Sequence, residues 1–454
     1  MDAAVAIAEN AVNIGYADLP AEAVDAARRD ILDTLGTTVA GSAAPGGQEI
    51  VELMKEFGGK KEATIVVYGG KVPAVSAAMA NGAMGHALDY DDTHDEAILH
   101  AGVTVVPAAF ATAERLGKVN GKDFITAVTL GVDVICRMGL ANNEGPGGWV
   151  LTPLYGYFGA TVAAGKLLGL SKDEMVSAIG IAYSQAAGNN QCIDDGALTK
   201  RMQAGFAARG GVIAALMAQK GILGTTNSFE GRCGLFKVYH QSNYTPKFLT
   251  EGLGKRFEVV NLSLKPYPCC RINHPYLDAV FALLQEHPIR PEDIEAITVF
   301  VNKDPHELCN PLDVKRNPRT IVDAQFSIPY NVACALIKGK VSISDFTEPA
   351  IRDTRVIALA NKVTPQFDPK MVRRELTPGK VEIKTSTGTY SKYIDIAYGH
   401  PKYPMNMEAI AEKFMDCARN AAKPVQKAKA SKVIGMAARL EGLDDVGEMM
   451  RLLG

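Results

Sequence analysis

The sequence predicts a mainly α protein with an α+β second domain: a large all-helical domain built from both chain ends and a smaller α+β lid domain. Three observations carry this. Helical punctuation runs almost unbroken from about Pro20 to Leu253, strand-like alternation is confined to the stretch after Lys255, and the tail from Asn406 returns to helix. With 454 residues the chain is too long for one ordinary core. The implied division is a helical domain at 1–258, an α+β domain at 259–400, and a return to the helical domain at 401–454.

Within the first part, "PAEAVDAARRDILDTLGTTVAG" opens on a proline and closes at Gly41, and "KDFITAVTLGVDVICRMG" repeats that pattern. Ala204, Ala208, Gly211 and Ala215 recur at helix spacing, a stripe that lets helix backbones approach closely. In the second part "IEAITVFVNKD" reads as a strand and "KVEIKTSTGTYSKYIDIAYG" as two strands around a Ser-Thr-Gly turn. "PYLDAVFALLQEH" and "VDAQFSIPYNVACALIKGK" read as helices. No internal repeat or low-complexity linker interrupts the chain.

A formal net charge of −2 and 22% charged residues give no overall attraction to nucleic acid or to an anionic membrane. The N-terminus carries acidic residues where a secretory signal would be basic, and no run approaches the roughly 18 apolar residues of a membrane helix, so the sequence predicts a cytoplasmic chain. Eight cysteines, with only Cys269 and Cys270 adjacent and no CxxC pair, indicate reduced thiols rather than a disulfide framework, a zinc site or an iron–sulfur cluster.

The densest polar stretch is "GHALDYDDTHDEAILH", residues 85–100. On a helix, His86, Asp89, Thr93 and His100 would fall within a sector of roughly 60°. Apolar flanks argue for burial, where carboxylate and imidazole must satisfy each other and can shift each other toward neutral pH. Three readings are open: a metal cage, a satisfied structural network, or a proton-transfer site. The spacing matches neither HExxH nor a calcium loop, so no metal is assigned.

Two further clusters are basic. "ALTKRMQAGFAARGG" places Lys200 at a helix start, where the dipole disfavours it unless an anion lies near; a substrate carboxylate would serve, whereas a snorkelling surface lysine is the bland reading. "LSLKPYPCCRINHPYLDA" offers Lys265, Arg271 and His274 at the domain boundary: two cations able to clamp carboxylates and one imidazole able to move a proton, or else a basic turn with a capping histidine.

With "NGAMGHALDYDDTH", "TKRMQAGFAARGG", "LKPYPCCRINHP" and "DAQFSIPYNVA" in this order, nearly the whole chain resembles the MmgE/PrpD family of 2-methylcitrate dehydratase, cis-aconitate decarboxylase and iminodisuccinate epimerase. The resemblance implies a homodimer and an active site at the domain junction that needs no metal or organic cofactor. It places Asp89, Thr93, His100, Lys200, Lys265, His274 and Tyr330 in the pocket, with catalytic roles expected of Asp89, His100, His274 and Lys200 and substrate contacts of Thr93, Lys265 and Tyr330; Arg271 joins the expected substrate contacts by its own carboxylate-clamping chemistry. The implied partner is a small polycarboxylate. Dehydration of a hydroxy-polycarboxylate is the leading expectation, with decarboxylation of cis-aconitate, epimerisation of a dicarboxylate, or silent carboxylate binding as alternatives. Two departures bear on the choice: Val150 stands where relatives commonly carry histidine in a Gly-aromatic-His triplet, and Cys270 where animal-type decarboxylases carry histidine.

Overall fold

The structure is a computed structural model that describes residues 2–372 and 377–454. The chain forms two units. Unit 1 is Met1–Asp194, Leu198–Leu264 and Asn406–Gly454; unit 2 is Asp195–Ala197 and Lys265–Met405.

Unit 1 is helical. Its helices are α1 (Ala3–Asn13), α2 (Ala21–Gly41), α3 (Gly47–Glu56), α4 (Ala74–Gly85), α5 (Gly102–Leu116), α6 (Gly121–Ala141), α7 (Leu151–Leu167), α8 (Lys172–Tyr183), the short α9 (Gln191–Asp194) and α10 (Thr199–Gln219). The short α11 (Leu235–His240) and α12 (Lys247–Thr250) follow. Local signals set the ends: Asp2 caps α1, Asn120 caps α6, and Ser171 forms a capping box with Glu174 on α8. The small-residue stripe on α10 is fully buried. A Cβ on Gly205 would lie 2.4 Å from the Met79 carbonyl of α4, so only glycine permits this helix contact.

One expectation is corrected here. Helix α6 has 21 residues and is apolar enough to cross a membrane by length and composition, contrary to the reading that no such run exists. It is a core helix: nearly all of it is buried in unit 1, and Arg137 inside it donates to Asp133 Oδ2 at 2.6 Å and to the carbonyls of Glu251 and Arg256.

Two small β-pairings also belong to unit 1: β1 (Ala63–Thr64) with β2 (Lys71–Val72), and β3 (Thr93–His94) with β4 (Leu262–Ser263). The second pairing holds the chain as far as Leu264 in unit 1, which moves the boundary six residues beyond the expected 258.

Unit 2 is a four-stranded sheet with helices. The order is β6-β5-β7-β8, where β5 (Ile294–Val301) runs parallel to β6 (Val363–Phe367) and antiparallel to β7 (Gly379–Thr385), which pairs with β8 (Gly388–Ile394). Helix α13 (His274–Glu286) packs on β7 and β8. After the short α14 (Lys303–Glu307) and α15 (Leu312–Arg316), the predicted single helix over 322–340 is two, α16 (Ile321–Gln325) and α17 (Ile328–Lys338). Ser327 breaks it by accepting from the Tyr330 N–H as the cap of α17, ahead of Pro329. Helix α18 (Thr354–Ala360) leads into β6, a strand the sequence reading missed because Pro365 stands inside it. Pro365 is tolerated because β6 is an edge strand.

The tail supplies α19 (Met407–Arg419), α20 (Lys427–Ala437) and α21 (Gly447–Leu453) to unit 1, and α19 packs along α2.

Candidate active site

Residues 86–101 are not a helix. Helix α4 stops at Gly85, and the chain then turns with Asp89 at φ 52° and Ile98 at φ 57°. The predicted four-turn polar stripe is therefore corrected. Closely spaced aspartates favour turns and caps over helix interiors, and Asp89 tolerates the left-handed region better than most residues. Asp92 shows the preference directly: its two carboxyl oxygens accept from the Ala101 and Gly102 N–H groups at 2.8 and 3.0 Å, capping α5 from nine residues upstream.

The loop still brings its polar groups together. Lys200 Nζ lies 2.6 Å from Asp89 Oδ1, with both side chains buried. The anion that a lysine at a helix start requires is thus supplied within the protein. Beside this pair lies His86, whose ring centroid is 5.0 Å from that of His100. Burial, then the Lys200 charge, lowers the His86 pKa, against the pull of Asp91.

The tautomer of His100 follows from its neighbours. Its Nδ1 is 2.5 Å from the Asp92 carbonyl oxygen, which can only accept, so Nδ1 carries the proton and a neutral ring bears its lone pair on Nε2. Thr93 Oγ1 lies 3.3 Å from the same nitrogen, and Thr152 Oγ1 accepts the His100 backbone N–H at 2.9 Å. The His100 side chain is 19% exposed, against 1% for His86. A fixed ring with an unprotonated Nε2 suits a general base.

The third histidine of the stretch is structural. His94 Nδ1 accepts from the Ala97 N–H at 3.1 Å, which leaves Nε2–H to face Glu258 Oε2 at 3.4 Å. Glu258 is brought to about 2: burial pushes it up, but the His94 and Asn261 hydrogen bonds prevail.

Behind the loop is a set of buried acids that sequence reasoning did not single out. Asp30 and Asp33 of α2 are each 1% exposed, and Asp91 and Asp92 are fully buried. Burial, then the charges of Asp92, Asp33 and Asp91, holds the Asp30 carboxyl well above its ordinary value; burial and Asp91 push Asp92 to about 8. Lys413 from α19 answers this charge: its Nζ is 2.7 Å from Asp33 Oδ1, donates to the Tyr90 carbonyl at 2.7 Å and sits 3.9 Å from the Tyr90 ring centre. The signal was present in "RRDILDTLGTT", where two acids and three threonines stand among apolar residues in the second half of a helix, and in the lone lysine of "EAIAEKFMDCA". Among the described residues no three histidine, cysteine, aspartate or glutamate side chains are arranged to hold a metal ion.

Unit 2 carries the other predicted residues. Lys265 is fully buried. Arg271 donates to the Tyr398 carbonyl at 2.8 Å and lies 3.2 Å from His274 Nδ1. Since a guanidinium only donates, His274 is a neutral ring there, and its Nε2–H points to the Cys269 carbonyl at 3.3 Å. In this geometry His274, expected as a group able to move a proton, turns its Nε2–H to a backbone carbonyl, and Arg271 ties down the 397–398 backbone. Tyr330, expected to touch substrate, is instead wholly buried in the core of unit 2, its hydroxyl donating to the Asp345 carbonyl at 2.8 Å. Val150 is the buried residue preceding α7.

Comparison with known proteins gives matches along the chain. Residues 5–247 match the MmgE/PrpD N-terminal domain and residues 267–437 the MmgE/PrpD C-terminal domain. A cis-aconitate decarboxylase of Aspergillus terreus is 28% identical over 470 residues, covering 98% of this chain and 94% of that protein. Human cis-aconitate decarboxylase is 27% identical over 468 residues, covering 99% and 93%. The 2-methylcitrate dehydratase of Escherichia coli is 24% identical over 414 residues, covering 84% and 82%.

Proposed function

We propose, from the premise that the chain belongs to the MmgE/PrpD family, that it is a lyase acting on a small tricarboxylate without a metal or organic cofactor, with decarboxylation of cis-aconitate as its reaction. Dehydration of 2-methylcitrate or citrate, which the sequence reading placed first, becomes the second reading. The order is reversed because relatives named cis-aconitate decarboxylase align over 94–99% of this chain, whereas those named 2-methylcitrate dehydratase align over 76–84%.

The observation that carries the reading is the assembly of one oriented imidazole, His100, with the buried Lys200–Asp89 pair in a single loop-and-helix environment. Both reactions build negative charge on carbon beside a carboxylate. Loss of carbon dioxide leaves the electron pair of the broken carbon–carbon bond on the remaining skeleton, and an acid must then protonate that skeleton. Lys200 supplies a fixed cation for the developing charge, and Asp89 holds the ammonium in place. His100, protonated at Nε2, returns a proton to carbon; in the dehydration reading the same nitrogen removes one first. Thr93 lies beside this imidazole as an orienting hydroxyl. The homodimer implied by the resemblance is part of the proposal, and light scattering tests it.

Proton magnetic resonance in deuterated buffer decides among the reactions. Cis-aconitate should lose one carbon and gain deuterium, and Lys200→Met or His100→Asn should lower kcat by about 10²-fold or more. An alkene formed from 2-methylcitrate instead selects dehydration; exchange without change of composition selects epimerisation. Calorimetric binding of tricarboxylate with no turnover removes the enzymatic reading.

A further inference from the structure

One buried imidazole and one buried carboxylate have no role in the reaction as derived so far. Asp91 Oδ2 lies 2.8 Å from His86 Nδ1 and 3.5 Å from His100 Nδ1, so a single carboxylate oxygen is hydrogen-bonded to one histidine and within ion-pair range of the other. Because a carboxylate accepts, His86 Nδ1 carries its proton toward Asp91. Its Nε2 is buried and has no hydrogen-bond partner among the described residues. A ring kept 1% exposed, with one nitrogen bonded and the other left bare, is an expensive arrangement for mere filling, since an apolar side chain of that size would avoid the unmet polar atom.

We infer that His86 and Asp91 are positioning residues for His100: His86 donates to Asp91 and keeps it ionised and aimed, and Asp91 favours the protonated form of the His100 ring. The inference rests on the reading of His100 as the proton-transfer group, and it identifies what supports that group. The surroundings fit the division of labour. Lys200 from α10 and Asp89 from the loop act on His86; Asp30 and Asp33 from α2 face Asp91 and Asp92, with Lys413 from α19 against them. Burial keeps His86 neutral, as a donor through Nδ1 alone. His100, with 19% of its side chain exposed, is the ring that can exchange its proton with a bound molecule.

The test is direct titration of the His100 ring in the full-length chain labelled with carbon-13 at histidine Cε1, its signal assigned by loss in His100→Gln. Asp91→Asn removes an opposite charge within about 4 Å and should lower the His100 midpoint by about one pH unit or more. His86→Leu should lower it as well, because a buried Asp91 without its donor takes up a proton and loses its pull. His86→Asn, whose side-chain amide can take the place of Nδ1–H, should bring the midpoint back to within about 0.3 units of the starting protein, a small fraction of a full charge effect. A midpoint unmoved in Asp91→Asn overturns the inference, and one that stays or rises in His86→Leu removes His86 from it. Loss of thermal stability with no change in midpoint marks a purely structural role and also refutes it. If His86→Leu does not fold, Asp91→Asn decides. Where turnover of cis-aconitate is found, kcat in both variants should fall about 10-fold or more with KM little changed, and the pH limb should move with the titration. A chain that turns over neither substrate sinks the proposed reaction, while the midpoints still decide the His86–Asp91 pair.

Discussion

Replacing Lys413 with methionine isolates one structural tie. The substitution keeps the unbranched stem and removes the ammonium that meets Asp33 at 2.7 Å, the Tyr90 carbonyl at 2.7 Å and the Tyr90 ring at 3.9 Å. The Lys413 and Asp33 side chains are 3% and 0% exposed, so water cannot replace what is lost. Breaking a buried pair from one side costs about 3–5 kcal/mol, because the remaining charge is left in a medium that does not solvate it. That is a large fraction of the roughly 5–15 kcal/mol that holds a typical protein folded. With an m-value of about 3 kcal/mol/M, the urea midpoint should fall by about 1–1.7 M. Trp149 is the sole tryptophan and lies in unit 1, so its fluorescence follows this unit without contribution from the other. Asp33→Asn combined with Lys413→Met removes both charges and should recover about 2 kcal/mol or more of the single-variant loss. A single-variant loss under about 1 kcal/mol, or a double variant no more stable than the single, would refute the reasoning.

Three further outcomes follow from the same region. Burial and the Asp91 charge push the Asp92 carboxyl up to about 8 in the folded chain from its ordinary 3.8, so between those values the folded form keeps a proton that the unfolded chain has released. Stability should therefore fall as pH rises through that window, by up to about 1.4 kcal/mol per pH unit, and Asp92→Asn should flatten the profile in Trp149-monitored urea melts at pH 5.5, 7 and 8.5. A Cβ added at Gly102 would lie 2.3 Å from Thr34 Oγ1, 2.8 Å from Asp92 Oδ1 and 2.9 Å from Asp30 Oδ1. Gly102→Ala should accordingly cost about 2–4 kcal/mol by overpacking and by loosening the Asp92 cap, measurable by thermal melting; a loss below about 0.5 kcal/mol would contradict that crowding. Arg137→Met strips donors from Asp133 and two loop carbonyls, and an expected loss of about 3–5 kcal/mol can be read by the same urea melts.

Much of the architecture was legible because it follows from local chemistry. Capping residues such as Asn120 and Ser171 mark helix starts whatever surrounds them, and alternation along Ile294–Val301 marks a strand half-covered by helices. The polar stretch at 85–100 was legible as composition but not as conformation. Helical spacing grouped His86, Asp89 and His100, and the structure groups them too, but through a capped turn rather than a shared face. The reading of Lys200 as a cation in need of an anion was sound, and only the tertiary structure showed Asp89 filling that place. Tyr330 went the other way: its segment matched the motif, while its hydroxyl is held by Asp345 in a core.

What the sequence determined by itself was the order and type of most elements, the family, and a short list of ionisable side chains, because each depends on neighbours a few residues away. What only the tertiary structure decided was protonation and partnership. The proton on His100 Nδ1 follows from a carbonyl eight residues earlier, and the shifted acidity of Asp92 from burial among carboxylates that include two from a helix some sixty residues away. The lysine that balances those acids arrives from Lys413, more than three hundred residues downstream. Electrostatic energies depend on distance in space and on exclusion of water, and neither quantity is written along the chain.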